Sequence, residues 1–479
     1  MKSPRMQRLL QAWRPTLAGA FGALVALLAS CGGGVGSGGT GAPVGYASGT
    51  VTGFGSVIVD GTHFDDVNAV VDTEVGPGQV VPAESRLGQH VEVAYQTLGV
   101  ATAVHVAAQV SGPVSAVAAP NSLTVLGQAI RINADANAGP ATVFAGGYAG
   151  ISSIAVGDAV EVHGLQRQDD SGAGFIHATR IEKLAALPSY LRVTGPVSRL
   201  DSSARSFMLG NQRIDYSAAS LLPQGAVLAN GQTVLVFGSA LQTGNGGQPV
   251  LTAQLVRVKQ VEGSGTPAYL GGTVSRLDAA SASFLLDGTT VHYSGAAVLP
   301  TGRSLASGVY VRVQGSFSAD GSLAASQVFI RNQTDEAQLE LSGTLSGYNA
   351  ATQSFQVRNV LVNAASATLV GCSAGLGNGL YVQVEGGIVN GAAVATQVSC
   401  VSAPPGAVVD SFGVAGSVNI DARTFTLTPT GGAAIAVSWT GLTYFGDGLT
   451  PGSLSGQTVE VEGVFSGSVL TATKVTKGG

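Results

Sequence analysis

Two histidines and a recurring glutamate are the residues of this sequence whose types and spacing could do chemistry. His163 and His177 fall on two neighbouring strand-like segments of one repeat, where Asp158 or Glu161 could join them around a metal ion. Glu161 has counterparts at Glu92 and Glu460, and Glu462 follows; carboxylates in such places could act as acid or base. The pattern speaks against both uses. Positions equivalent to His163 hold Phe237, Gln314, Glu385 and Glu462, and those equivalent to Glu161 include Leu235, Arg312 and Gln383. One carboxylate per repeat cannot supply both acid and base for glycoside hydrolysis. Such tolerance marks a solvent-facing strand position, and no Gly-x-Ser-x-Gly elbow joins a strand to a helix. No catalytic, cofactor-binding or metal-binding residue is therefore assigned, and no cofactor is expected.

The three cysteines divide by role. Leu28-Ala29-Ser30-Cys31 closes an apolar run, Leu17 to Leu28, that follows Lys2, Arg5, Arg8 and Arg14. A basic segment, a short apolar one and small residues make a secretory leader, and the last four residues resemble a bacterial lipobox. That resemblance implies cleavage before Cys31, a diacylglyceryl thioether on its sulfur and acylation of the new amino group. Two or more acyl chains make a stable anchor. Gly32 replaces the Asp that would retain a lipoprotein in the inner membrane, which points to the outer membrane, on either its periplasmic or its surface-exposed face. Cys372 and Cys400 remain as a pair. In an exported chain they predict a disulfide, worth roughly 3 kcal/mol by chain entropy.

Residues 32–41 are mostly glycine, interrupted by Val35, Ser37 and Thr40, and read as a flexible tether. Their Gly34-x-Gly36-x-x-Gly39 string has neither the preceding strand nor the following helix of a dinucleotide site. Hydrophobic residues make up 45% of the 479, enough for buried cores, while only 11% are charged and the net charge is −5. With no basic patch, nucleic acid is not an expected partner.

Six copies of one pattern occupy the rest. A glycine leads a strand of alternating valines, and a second glycine or an aromatic closes it seven positions on. The copies are Gly88 to Tyr95, Gly157 to Gly164, Gly231 to Gly238, Gly308 to Gly315, Gly379 to Gly386 and Gly456 to Gly463. Opening Gly-x-Val or Gly-x-Leu elements start at Gly49, Gly112, Gly195, Gly272, Gly343 and Gly416; closing elements start at Ala101, Ala178, Ala253, Ala325, Ala395 and Ala472. Asp201, Asp278 and Asn349 begin turn clusters that suit Asx turns, with too few oxygen ligands for a calcium loop.

Period-two alternation without helical periodicity predicts an all-β chain. About seventy residues with five or six strands each suggest six small OB-like Greek-key β-barrels in tandem, rather than sandwiches of about 100 residues. The units run over residues 48–110, 111–187, 188–262, 268–334, 338–403 and 411–479. They follow a signal peptide at 1–30 and a lipidated tether at 31–47.

The second copy carries a family resemblance. Ser122-Leu123-Thr124-Val125-Leu126-Gly127-Gln128, Thr142-Val143-Phe144, the run Val156 to Gly164 and Ala178-Thr179-Arg180-Ile181-Glu182 resemble domain-of-unknown-function family 5666. Gly53 to Gly61 is similar to the opening of tandem-repeat lipoproteins bearing that domain. The later four copies resemble it more loosely. The resemblance implies an exported all-β repeat protein and no particular activity.

These observations predict a non-enzymatic envelope lipoprotein. Its repeats would form a structural or ligand-binding array, with the membrane as one partner and an envelope protein or glycan as another. A carbohydrate- or peptidoglycan-associated binding protein is the alternative; Trp439 and Tyr444 are its aromatic candidates, though core packing also accounts for both. An enzyme with a single site in one divergent repeat is the third reading. Asn332-Gln333-Thr334 fits a glycosylation sequon that a bacterial leader makes irrelevant.

Overall fold

Valine at every second position of the glycine-led strands builds the cores. In the computed structural model Val91, Val93, Val160, Val162, Val234, Val236, Val311, Val313, Val382, Val384, Val459 and Val461 are all fully buried. The structure describes residues 45–477 except 98, 119, 134–139, 170, 245–247, 260–262, 300–301, 332–337, 403–407, 430–432 and 447. The leader with Leu28, Ala29, Ser30 and Cys31, most of the tether and the Asn332 sequon lie outside the described residues. Among the described residues, helix is confined to single 3₁₀ turns such as Ile151–Ser153 and Pro451–Ser453.

Each repeat uses the same ladder. An opening strand, as in Leu191–Asp201, pairs antiparallel with the glycine-led strand Thr233–Thr243, which pairs antiparallel with the closing strand Pro249–Val258. A hairpin, Ser206–Leu209 with Gln212–Asp215, links the opening strand back to the closing one. The predicted turns are present: Asp201 accepts the N–H groups of Ser203 and Ala204, and Asn349 those of Ala351 and Thr352.

Both recurrent glycines have a backbone reason. The leading glycine has positive φ in all six repeats, between 77° and 92°, a region open to glycine at little cost. Its N–H donates to the opening strand, from Gly88 to Val51 at 2.9 Å through Gly456 to Ala415 at 2.8 Å. The second glycine sits at a β-bulge, between His163 and Gly164 and likewise at Gly238, Gly315, Gly386 and Gly463. There a Cβ would fall within 3.0 Å of a closing-strand carbonyl oxygen. The first repeat places its bulge at Tyr95 instead.

Six separate OB-like barrels are not what the chain forms. It is a β-solenoid of stacked coils, in which ladders and cores continue from one repeat into another. Residues Tyr46–Ser48 pair parallel with Ala268–Leu270 of the fourth repeat, and Gly53 and Phe54 with Glu340 and Leu341 of the fifth. Val110 and Ser111 of the second pair with Val193 and Arg192 of the third. Sheets of 20 and 12 strands result, while the sixth repeat closes as a five-stranded barrel. One apolar core spans repeats two and three, from Val110 to Val258, and another joins repeats one and five. A unit of about seventy residues buries a modest core alone, and where its edges stay open they find partners in neighbouring repeats.

The sixth repeat also corrects a register. The carbonyl that receives the leading glycine belongs to Ala415, so the counterpart of Gly49 is Gly413, not Gly416. At Gly413 a Cβ would meet the backbone of Thr428 and Pro429 at 2.5–2.8 Å, whereas Gly416 faces open space. Gly413→Ala should therefore lower stability by about 2 kcal/mol and Gly416→Ala leave it unchanged, as read from the midpoint of urea unfolding.

Candidate functional site

The recurring glutamates lead into the interior. Glu92, Glu385, Glu460 and Glu462 are each at most 6% exposed, and His163 is fully buried. These positions point away from their own repeat's core, as the alternation requires, but the outer face is covered by other repeats. The solvent-facing reading of the strand is therefore wrong for most copies; Glu161, with 31% of its side chain exposed, comes nearest to it.

The densest charge cluster lies where repeats one, four, five and six meet. The strand Thr62–Phe64 contributes His63, Gln338–Thr344 contributes Glu340, and Tyr381–Val389 contributes Glu385. Asp410 comes from Val409–Asn419, Glu460 and Glu462 from Thr458–Ser466, and Lys474 from Val469–Lys477. Lys474 Nζ reaches Glu340 Oε2 at 2.7 Å, Glu462 Oε1 at 3.0 Å and Glu385 Oε2 at 3.8 Å. Glu460 holds Arg312 at 2.8 Å and Arg331 at 3.2 Å. His63 Nε2 lies 3.2 Å from Glu462 Oε2, 3.5 Å from Glu340 Oε1 and 3.9 Å from Asp410 Oδ1.

Burial and charge pull in opposite directions here. Burial alone would lower His63, but Asp410, Glu340 and Glu462 outweigh it and hold the imidazole well above its usual value. Burial likewise opposes a charged Lys474, and its three carboxylate neighbours reverse that. Glu462 is pushed up to about 7 by burial and by Glu340. Asp60, buried against Tyr310 and the Thr50 N–H, rises to about 6 through burial. This is the behaviour of more acids than one low-dielectric space can keep ionised.

A second polar junction joins repeats one and three. Both terminal guanidinium nitrogens of Arg257 engage Glu74, Arg192 donates to the Glu74 carbonyl, and Lys259 pairs with Glu92. Beside it lies a groove of about 550 Å³ between repeats one, three and four, lined by Ser48, Glu92, Gln232, Lys259, Asp287 and His292 among others.

His163 and His177 do not form a site together. His163 Nε2 meets Glu161 at 3.1 Å, and its Nδ1 accepts the His90 N–H. His177 Nδ1 instead faces Arg167 at 3.0 Å, and burial with that guanidinium lowers it to about 3. Among the described residues, His63, Asp410 and Glu462 are the group whose donor atoms all lie within 4.8 Å of one another. No local signal could have found them, since His63 and Asp410 stand 347 residues apart. Cys372 and Cys400 form a disulfide, with Cα atoms 5.0 Å apart. Trp439 is 6% exposed and packs on Phe425 and Phe445 within the sixth repeat's core, so it offers no platform.

Residues 111–182, 271–328 and 414–476 match DUF5666, a domain of unknown function, consistent with tandem repeats of that domain. The matched stretches fall in the second, fourth and sixth repeats. The first, whose opening resembled the family in sequence, lies outside them. No curated protein matches the chain. Among solved structures, the Drosophila Unr CSD456 chain is similar at 14% identity over 44% of this chain and 96% of its own. The TM-score of 0.13 is too low to carry an argument.

Lys474→Met should leave three buried carboxylates without their shared cation and cost about 3–5 kcal/mol, seen as a lower midpoint of chemical unfolding. His177 is neutral when folded and protonates near 6.5 when unfolded, so its contribution is complete above pH 6.5 and is lost as pH falls toward 3. The stability difference between wild type and His177→Gln should shrink across that window by up to about 1.4 kcal/mol per pH unit, checked by urea titrations at stepped pH.

Proposed function

We propose, for a chain carrying tandem DUF5666 domains, that it is a non-enzymatic lipoprotein of the bacterial outer membrane, anchored through Cys31, whose stacked repeats bind a polar envelope ligand. The groove between repeats one, three and four carries this reading. It exists only where three repeats meet, and its walls are side chains able to hydrogen-bond a hydroxyl-rich or charged ligand. The basic leader, the short apolar run and the glycine tether support delivery to a membrane. Among the described residues no helix is long and apolar enough to cross one.

Glu92 supplies the groove with a fixed negative charge beside Lys259. Burial alone would raise Glu92, yet Lys259 and His105 bring it down to about 2, which leaves an anion with no proton to donate near neutrality. The same polar walls suit the glycan-binding alternative, which now rests on them rather than on aromatic stacking.

Cells fed a labelled fatty acid should yield labelled full-length chain in the outer-membrane fraction, while Cys31→Ala should be unlabelled and soluble. Wild-type chain that sediments without label would remove the anchoring claim. Co-sedimentation with isolated peptidoglycan, weakened in Lys259→Met, would identify the ligand as that glycan.

A further inference from the structure

We propose that His63, Asp410 and Glu462 form a binding site for one divalent first-row transition-metal ion, which ties the first repeat to the sixth. His63 Nε2, Asp410 Oδ1 and Glu462 Oε2 are buried and make no hydrogen bond. The His63 and Glu462 side chains are 2% and 4% exposed. His63 Nε2 and Glu462 Oε2 meet each other only as charges, at 3.2 Å, and Asp410 Oδ1 stands 3.9 Å off, so these buried polar atoms are under-satisfied.

The spacing suits a small cation. Zinc binds histidine nitrogen and carboxylate oxygen at about 2.0–2.2 Å, which sets the donor atoms of a tetrahedral site about 3.4 Å apart. The oxygens of Glu462, Glu340 and Asp410 stand 3.2, 3.5 and 3.9 Å from His63 Nε2. Glu340 Oε1 thus offers a fourth donor beside the three.

The remaining atoms of these side chains are already committed in the way an outer shell requires. His63 Nδ1 lies 3.0 Å from Ser56 Oγ, which as acceptor fixes the tautomer that leaves Nε2 free to ligate. Asp410 Oδ2 accepts the His63 N–H at 2.6 Å, and Lys474 occupies Glu340 Oε2 and Glu462 Oε1. Each carboxylate therefore spends one oxygen on the protein and turns the other toward the shared space.

Charge points the same way. Glu340, Glu385, Asp410, Glu460 and Glu462 face Arg312, Arg331 and Lys474, five acids gathered around three fixed cations. An imidazolium at His63 would ion-pair with Glu462 Oε2 at 3.2 Å and still leave Asp410 Oδ1, at 3.9 Å, without a hydrogen bond. A cleft bordered by Thr52, Asp60, Arg331 and Lys477 reaches two of the carboxylates around His63, Glu340 and Glu462. Mixed nitrogen and oxygen donors favour zinc or its first-row neighbours over calcium and magnesium.

Full-length chain in detergent, stripped of metal, should take up one equivalent of zinc in a calorimetric titration and unfold at a higher temperature when loaded. Cobalt(II) should give visible absorption that zinc abolishes. His63→Gln and Asp410→Asn should lose this equivalent, and Ser56→Ala, which keeps every ligand, should bind about 10–100-fold more weakly. Absence of saturable zinc uptake by folded wild-type chain would overturn the site and leave the junction an ion-paired one. Uptake unchanged in Ser56→Ala and in folded Asp410→Asn would overturn it too, by placing the zinc elsewhere.

Discussion

A β-strand satisfies none of its main-chain hydrogen bonds internally and leaves them to its neighbours, and in this chain the strand Gly45–Phe54 distributes that requirement among three repeats. Its residues Gly45–Thr50 pair with the first repeat's own glycine-led strand, Tyr46–Ser48 also pair with the fourth repeat, and Gly53 and Phe54 pair with the fifth. Side chains of the same repeat reach the others: Thr179 and Arg180 of the second donate to Gly88 and Leu87, Lys259 of the third holds Glu92, and Asp410 of the sixth accepts from His63. The first repeat is thus the piece against which the other five are set. Stacking out of chain order follows from that.

The charged junctions refine this arrangement. An ion pair buried between repeats stabilises little compared with an apolar contact of equal size, yet losing one partner costs several kcal/mol. A wrong docking of repeats with nearly identical apolar cores would strand a Glu or a Lys. Charge therefore supplies the discrimination that valine cannot. The residues that differ most among copies at the exposed-looking strand positions, Glu92, Leu235, Arg312 and Glu460, are those that meet different neighbours.

Within a repeat, much of this was legible in the sequence. The period-two valines placed the buried face and Asp201 and Asn349 marked turns, because each effect acts over a few residues; the two glycines stood out by their spacing, and the backbone supplied their reasons, a positive φ at one and a bulge at the other. The outer face was not legible. Alternation says that Glu460 points away from Val459 and Val461; it does not say that Arg312, some 150 positions earlier, will cover it. The same blindness produced the expectation of separate barrels and hid His63, Asp410 and Glu462 as a group. The register error in the sixth repeat had a local cause: Gly416-Ser417-Val418 fits the Gly-x-Val pattern and Gly413-Val414-Ala415 does not, yet the backbone places Gly413 in the equivalent position.

The junction at His63 also sets an order of events. Synthesis delivers the first repeat hundreds of residues before Asp410, Glu462 and Lys474, so its strand edges wait for the fourth and fifth repeats and its histidine for the last. Contacts so far apart in sequence close slowly, and the unpaired strands that wait for them are open to pairing with other chains. Assembly of this molecule is therefore completed by its final segment, and the interval before that segment arrives is when the nascent chain most needs a chaperone to shield it.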